Sequence, residues 1–405
     1  MTFWRMAMAP VVRAWVRLRR NALDYVPRPD GLAQAHSGGH NADRILLFGS
    51  GIVVGWGVAT HDIGLAGSLA REITRRTGRA VDIEVVADPQ LSVTNAITRL
   101  RELNLHRYDA MVICVGVNDA LRLISVSEWS RRLVALVDYI GERSSPGTPL
   151  FLVGVQPIRS IPTYDSWLGS IANAQAMRMN VVTRELSAAR TTVAFVPITS
   201  PISTTPTRFR DGRSYGHWAS EIADVAAPLL PLSRHADDGA GQAISRDTEG
   251  AELHLEISAV DLGRVDEDTG GKLRQLVDQA RSVFNGSGAG LGLFVGDRIV
   301  FPIRAGDVPE QVDLKGSFGE ETIAARDALI VPDATLDARF GENSNVVGEL
   351  GVRFWAGFPI ERVTGERIGL LCVFGHEPRA PNPSWDRTVL RQLALAIQRE
   401  LRASS

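Results

Sequence analysis

Ser50, Asn118, Asp211 and His217 bring together the side-chain types that covalent chemistry needs: a hydroxyl, a carboxamide, a carboxylate and an imidazole. From such groups come a nucleophile, a donor to a developing oxyanion, an orienting acid and a general base. Each lies where an apolar, strand-like run ends or a helical stretch begins. Phe48-Gly49-Ser50-Gly51 follows the first run, with Gly55-Trp56-Gly57 soon after; the Gly51 amide is a further donor. Val115-Gly116-Val117-Asn118-Asp119 follows the third run, and Asp211-Gly212-Arg213-Ser214-Tyr215-Gly216-His217 precedes the last helical stretch. Plainer roles stand beside these. Ser50 can bond local backbone in a turn, Asn118 can tolerate a left-handed turn, and His217 can sit solvated in a first helical turn. Asp119 suits a cap. Arg208 and Arg210 flank Asp211, either as a solvated loop or as a grip on an anion.

Elements that alternate strictly must position these residues. Continuous apolar strands are expected at 44–48, 81–87, 110–115, 150–155 and 192–197. Helical spacing is expected at 65–77, 93–103, 126–143, 171–188 and 217–230. Buried strands between amphipathic helices make a parallel sheet covered on both faces, with sites at the carboxyl ends of the strands.

Composition narrows the function. The 405 residues, 44% hydrophobic and 22% charged, exclude a mostly disordered chain, and a net charge of −2 provides no field to attract nucleic acid. Only Lys272 and Lys315 among the 44 basic residues are lysines, which carries no functional meaning here. Two cysteines, Cys114 and Cys372, each in an apolar run, exclude a disulfide framework and a Cys-based zinc site. No metal or cofactor is expected. No apolar run approaches the ~18 residues of a membrane span, and the N-terminus lacks a signal-peptide pattern. The expected location is the cytoplasm. Residues 1–42 read as an amphipathic helix and linker, with Val11, Val12, Trp15 and Leu18 on one side and Arg13, Arg17 and Arg20 on the other. That helix either lies on anionic lipid at the inner membrane face, through residues 1–20, or packs on the following domain and shows its arginines to water.

The order of motifs over residues 43–231 resembles the SGNH (GDSL-like) hydrolases, which implies a flavodoxin-like α/β three-layer sandwich. In that family Gly-Asp-Ser follows strand one, a Gly follows strand two, Gly-x-Asn-Asp follows strand three and Asp-x-x-His precedes the last helix. The resemblance implies a serine nucleophile, a His base aligned by the Asp, and an oxyanion cradle of Gly, Asn and a backbone amide. Gly49, Gly55, Gly57, Gly116, Asn118 and Asp119 match. Ser50 stands where Asp is expected, Gly51 where the nucleophile is expected, and Leu91 where the oxyanion Gly is expected. Aligned on Asp211 the His position is Ser214, and aligned on His217 the Asp position is Ser214. Without a hydroxyl at position 51 the usual acyl-enzyme cannot form. Catalysis would then fall to Ser50, Asn118, His217 and Asp211, and recognition without turnover to Gly51 and Asn118.

Residues 232–251 read as a polar linker. Residues 252–405 change style, with short strands between two helical stretches, 273–284 and 385–401. Val331-Pro332-Asp333-Ala334, Gly351-Val352-Arg353-Phe354-Trp355-Ala356-Gly357-Phe358-Pro359 and Gly369-Leu370-Leu371-Cys372-Val373 resemble a GAF domain. The resemblance implies an α+β domain with a central antiparallel sheet and a small-molecule pocket on one face. Arg353 and Trp355 share one face of their strand and are candidates to line that pocket around an anionic or planar ligand. Gly319 stands near a frequent Cys position, and neither cysteine is placed on a pocket loop, so covalent chromophore attachment is not expected. Val389, Leu393 and Ile397 form an apolar stripe, open either to a homodimer bundle of the kind terminal GAF helices form or to the domain's own sheet.

The combined expectation is a two-domain sensory or regulatory protein, in which a catalytically degenerate hydrolase-like domain is coupled to a GAF domain that reads a small molecule. The alternatives are an active esterase or acyl hydrolase with a rearranged Ser-His set, regulated by the GAF domain, and a membrane-associated scaffold.

Overall fold

A computed structural model describes residues 2–20, 25–30, 33–200, 210–230, 267–362, 365–380 and 383–403. The chain divides into two compact units, Met1–Ser37 with Ala42–Pro231, and Gly38–Asn41 with Leu232–Ser405. The expected linker at 232–251 lies outside the described residues.

The first unit is built on strands β1 (Gln34–His36), β2 (Asp43–Gly49), β3 (Val81–Ala87), β4 (Ala110–Cys114), β5 (Leu150–Val153) and β6 (Val193–Val196), in the order β1-β3-β2-β4-β5-β6. β1 runs antiparallel to β3 and the other pairings are parallel. Leaving out the antiparallel edge strand β1, this is the doubly wound order of flavodoxin-like sheets, with its reversal point between β2 and β4. Helices α2 (Leu65–Thr77) and α7 (Gly212–Ala226) cover one face, burying Leu69, Ile73, Trp218 and Ile222. The other face carries α3 (Ala96–Leu100), α4 (Val117–Leu121), α5 (Val126–Arg143) and α6 (Trp167–Ala188), around Trp129, Leu136 and Met179.

Most expected elements form where the apolar spacing puts them. Two helices begin earlier, and in each case a side-chain cap sets the start. Ser166 accepts the Gly169 N–H at 3.2 Å and starts α6 at Trp167. Asp211 accepts the Ser214 N–H at 3.0 Å and starts α7 at Gly212, five residues ahead of the periodic signal. His217 therefore sits in the second turn of α7. The helix expected at 93–103 shrinks to α3, because residues 91–95 form a turn held from α4.

Helix α1 (Thr2–Arg20) packs in part on the first unit. Val12 is fully buried and Ala9 nearly so, within the same core as Trp129, and the Trp15 ring meets Tyr164 at 5.6 Å. Arg13, Arg17 and Arg19 remain exposed. Of the apolar side, Val12 and Trp15 turn to the domain while Val11 and Leu18 are exposed beside the arginines. Val12→Asp is expected to undock the helix and lower stability by about 3 kcal/mol, because it buries an unpaired charge. Arg17→Ala is expected to leave the midpoint of urea unfolding in place, and the comparison of the two midpoints checks the docking. No described helix is long and apolar enough to cross a membrane.

The second unit has strands β7 (Gly288–Val295), β8 (Arg298–Gly306), β9 (Gln311–Asp313), β10 (Leu329–Val331), β11 (Phe354–Glu361) and β12 (Arg367–Gly375), in the antiparallel order β10-β11-β12-β7-β8-β9. Helices α8 (Glu267–Val283) and α11 (Pro383–Ala403) cover one face with Leu273, Val277, Leu390, Ala394 and Ile397. Leu393 and Ile397 of the apolar stripe of α11 are thus buried on its own sheet, with Val389 partly buried beside them. Helices α9 (Phe318–Ala324) and α10 (Ser344–Val347) lie with the other face, around Phe301, Phe318, Trp355 and Phe374.

Candidate functional site

The carboxyl ends of β2 and β4 meet at the reversal point of the first sheet, where the expected residues converge in sequence. Ser50 leaves β2 with its N–H donated to the Cys114 carbonyl at 2.9 Å, and it is 2% exposed. Among the described residues its hydroxyl has no hydrogen-bond partner. It is therefore hydrogen-bonded to neither His217 nor Asn118. Gly51 adopts φ +64°, and a Cβ there would lie 3.2 Å from Val117 Cγ2. A side chain at the nucleophile position would meet both backbone strain and a crowded neighbour.

The expected oxyanion donors are used internally. Asn118 Nδ2 donates to the Pro89 carbonyl at 2.9 Å and to the Leu91 carbonyl at 2.7 Å, which takes up both amide hydrogens. The Leu91 N–H donates to the Asp88 carbonyl at 3.0 Å. Asp119, next along α4, accepts the Val93 N–H at 3.1 Å. Asn118 and Asp119 together clamp the turn that follows β3. The Asn118 amide, expected to face a ligand, here holds this loop. Asp119 is fully buried, and its Oδ1 has no partner among the described residues. Burial raises its carboxyl to about 6, against the lowering effects of the Val93 N–H and the Arg122 charge.

The acid–base pair is also placed differently. Asp211 accepts both the N–H and the hydroxyl of Ser214 as the cap of α7. His217 Nε2 lies 2.8 Å from Thr199 Oγ1 and 3.4 Å from Glu221 Oε1. Thr199, just beyond β6, donates its hydroxyl to Glu221 at 2.6 Å. A single hydroxyl hydrogen goes to the carboxylate, so the ring N–H of His217 points at Thr199 Oγ1. The hydrogen bonds described for Asn118, Asp211 and His217 go to groups outside the expected catalytic set, and the Ser50 hydroxyl has none among the described residues. Asp211 begins α7, which puts His217 in its second turn.

Sequence reasoning left Arg210 either on a solvated loop or as a grip on an anion, and the structure buries it to 6% exposure. Its Nη1 donates to the Gly51 carbonyl at 3.2 Å and its Nη2 to Gln156 Oε1 at 3.1 Å, while the guanidinium lies 5.0 Å over the Trp218 ring. Gln156, beyond the end of β5, is 2% exposed, and its Nε2 has no partner among the described residues. Tyr215 completes the wall by donating to the Trp56 carbonyl at 2.8 Å. Gly57 is needed here, since a Cβ would lie 2.5 Å from the Arg210 carbonyl oxygen. The only sequence signals for this cluster were the glycines and the i, i+3 spacing of Tyr215 and Trp218. Arg208 lies outside the described residues.

The second unit holds a cavity of about 30 Å³, roomy enough for a water or two. Its walls are apolar, from Ile299, Phe301, Phe318, Trp355, Cys372 and Phe374 among others. Trp355 lines it as expected. Its indole N–H donates to Thr322 Oγ1 at 3.1 Å, and its ring stacks on Phe318, which stacks on Phe340. Arg353 does not line it. The residue precedes the start of β11, and its guanidinium turns to the Val346 carbonyl at 2.8 Å, at the end of α10. A cation completing the carbonyls of a helix end is a structural role. Cys372 reaches the cavity from β12, a strand and not a loop. Burial pushes that thiol up to about 12, so no thiolate is present for covalent attachment.

Residues 47–255, just over half of the chain, match the GDSL-like lipase/acylhydrolase family, and residues 270–401 match the GAF domain. A cyclic di-GMP phosphodiesterase of Pseudomonas aeruginosa is 32% identical over 136 residues, 34% of this chain and 23% of that protein. The chain thus spans less than a quarter of the length of this curated relative. Among solved structures, the carbohydrate acetylesterase Est24 of Sinorhizobium meliloti is similar at 16% identity and a TM-score of 0.37, covering 46% of this chain and 99% of that one. The free methionine-R-sulfoxide reductase of Neisseria meningitidis is similar at 17% identity and a TM-score of 0.30, covering 40% of this chain and 95% of that one. With its parallel sheet, its Gly49 and Gly116 strand exits and the family match over residues 47–255, the chain belongs to the GDSL-like lipase/acylhydrolase family and carries a GAF domain after it.

Proposed function

We propose that this is a cytoplasmic two-domain regulatory protein whose hydrolase-like domain has given up covalent turnover and whose GAF domain reads a small molecule. One observation carries the reading. Every donor that should cradle an oxyanion from the second and third strand exits is bonded to the protein's own carbonyls, at Asp88, Pro89 and Leu91. The buried Ser50 hydroxyl has no base hydrogen-bonded to it among the described residues. Loss of the nucleophile alone removes most of the rate, and loss of the oxyanion donors removes what binding and electrostatics would leave. The Gly51 backbone and the Arg210 cluster remain as a pinned, non-reactive strand exit. In the GAF domain, an apolar cavity of this size favours a small uncharged ligand over a nucleotide, which would require the walls to open.

The second reading is ester hydrolysis, and it has its own observation: Thr199 Oγ1 lies in hydrogen-bond contact with His217 Nε2. The two readings part in one experiment on the full chain. With p-nitrophenyl acetate and other short esters, turnover is expected at the background of free imidazole. A fluorophosphonate probe is expected to leave no adduct by mass spectrometry. An adduct at Thr199, with turnover abolished in Thr199→Val, establishes the hydrolase; an adduct at Ser50 overturns the first reading in the form originally expected from sequence.

A further inference from the structure

Helix α6 is apolar on two sides. Its inner face is in the core through Ala172, Ala176, Met179 and Leu186. Its outer face exposes Trp167 at 65%, Met177 at 63% and Val181 at 51%. With the exposed Ala174 and Ala188, these follow a three-and-four spacing along 22 residues, about 33 Å of helix. A helix apolar all round is normally covered. Three large side chains in one row differ from the scattered exposed hydrophobics that any surface carries.

The charges beside this row name the occupant. Arg178 and Glu185 are exposed, seven residues apart and on the same flank of Val181. Neither has a hydrogen-bond or ion-pair partner among the described residues. A two-fold axis perpendicular to the helix, passing between Val181 of two copies, makes the helices antiparallel. It sets Arg178 of each copy, three residues from the axis, close to the partner's Glu185, four residues from it on the same flank. Val181 then meets the partner's Val181, and Met177 packs between the partner's Arg184 stem and the partner's Ala188. A surface complementary to itself under a two-fold is the mark of an isologous dimer.

We propose that the outer face of α6 is a homodimer interface, formed antiparallel about Val181 and registered by reciprocal Arg178–Glu185 pairs. One helix face buries well under the ~1,200 Å² of a standard interface, so the dimer is weak and dissociates in the micromolar range.

Sedimentation velocity of the full chain over a roughly hundredfold concentration range is expected to show a reversible monomer–dimer equilibrium. Arg178→Glu and Glu185→Arg are each expected to weaken it by tenfold or more, and the double exchange to restore it, a rescue that a merely structural role does not give. Val181→Cys is expected to form an intermolecular disulfide under mild oxidation, since its two Cα atoms fall within bridging range, whereas Ala174→Cys is not. Cys114 and Cys372 are buried and stay silent. Circular dichroism is expected to be unchanged in all of these surface variants. A chain that stays monomeric throughout, a dimer indifferent to R178E, or a monomer that instead binds anionic vesicles through this face overturns the proposal.

Discussion

Replacing Arg210 by Met is expected to destabilise the first unit by about 3 kcal/mol, read as a lower midpoint of urea unfolding. The guanidinium bonds two acceptors on different strand exits, the Gly51 carbonyl and Gln156 Oε1, and it faces the Trp218 ring. Methionine fills the volume but leaves both acceptors buried without a donor. Arg210→Lys is expected to recover only part of the loss, because one ammonium cannot reach both acceptors in the planar geometry a guanidinium provides. The same substitutions should loosen the chain after β2. The Gly57 N–H, which donates to the Pro27 carbonyl at 2.7 Å, is then expected to exchange with solvent faster in Arg210→Met. An unchanged midpoint and unchanged exchange would show that this cation holds nothing in place.

The second large effect belongs to Asp119. Its folded carboxyl sits at about 6, above the ~3.9 of an unfolded aspartate, so between these values the folded chain binds more protons than the unfolded one. Stability is therefore greatest below the lower value and falls as pH rises through about 6. The loss approaches about 3 kcal/mol in neutral solution, from a shift of about two units. Asp119→Asn is expected to remove this dependence and to raise stability near neutral pH by up to that amount. The amide oxygen can still accept the Val93 N–H, and no charge is left on an oxygen without a donor. Urea midpoints from about pH 4 to about pH 8 check both sign and size. A wild-type profile that is flat across that interval would place the charge of Asp119 in a better-solvated setting than its burial implies. The cost is understandable in place: Asp119 and Asn118 hold the turn after β3 closed over the end of β4, using a side chain that an aspartate contributes even when protonated.

The division into a doubly wound sheet and an antiparallel domain was legible because both depend on local periodicity. Apolar runs such as 110–115 and amphipathic stretches such as 126–143 are buried in any fold that uses them. The Gly49 and Gly116 exits are likewise local, since a Cβ at Gly49 would fall 2.1 Å from the Cys114 carbonyl oxygen whatever the chemistry. Trp355 lies in a cavity wall, on a strand whose faces alternate. Arg353, two residues earlier, escaped the alternation because β11 had not yet begun.

By itself, then, the chain's sequence determined which elements form, the families they belong to and the strand ends where a site must lie. Those are set by short-range patterns in which each residue's neighbours are its near neighbours in sequence. Only the tertiary structure decided what the polar groups at those ends do. The Asn118 amide turns to two carbonyls some 27 residues away, Arg210 reaches Gly51 across 159 residues, and the Asp211 cap sets His217 in the second turn of α7. A hydrogen bond has a direction and few acceptors in reach, and that geometry exists only once distant segments have packed.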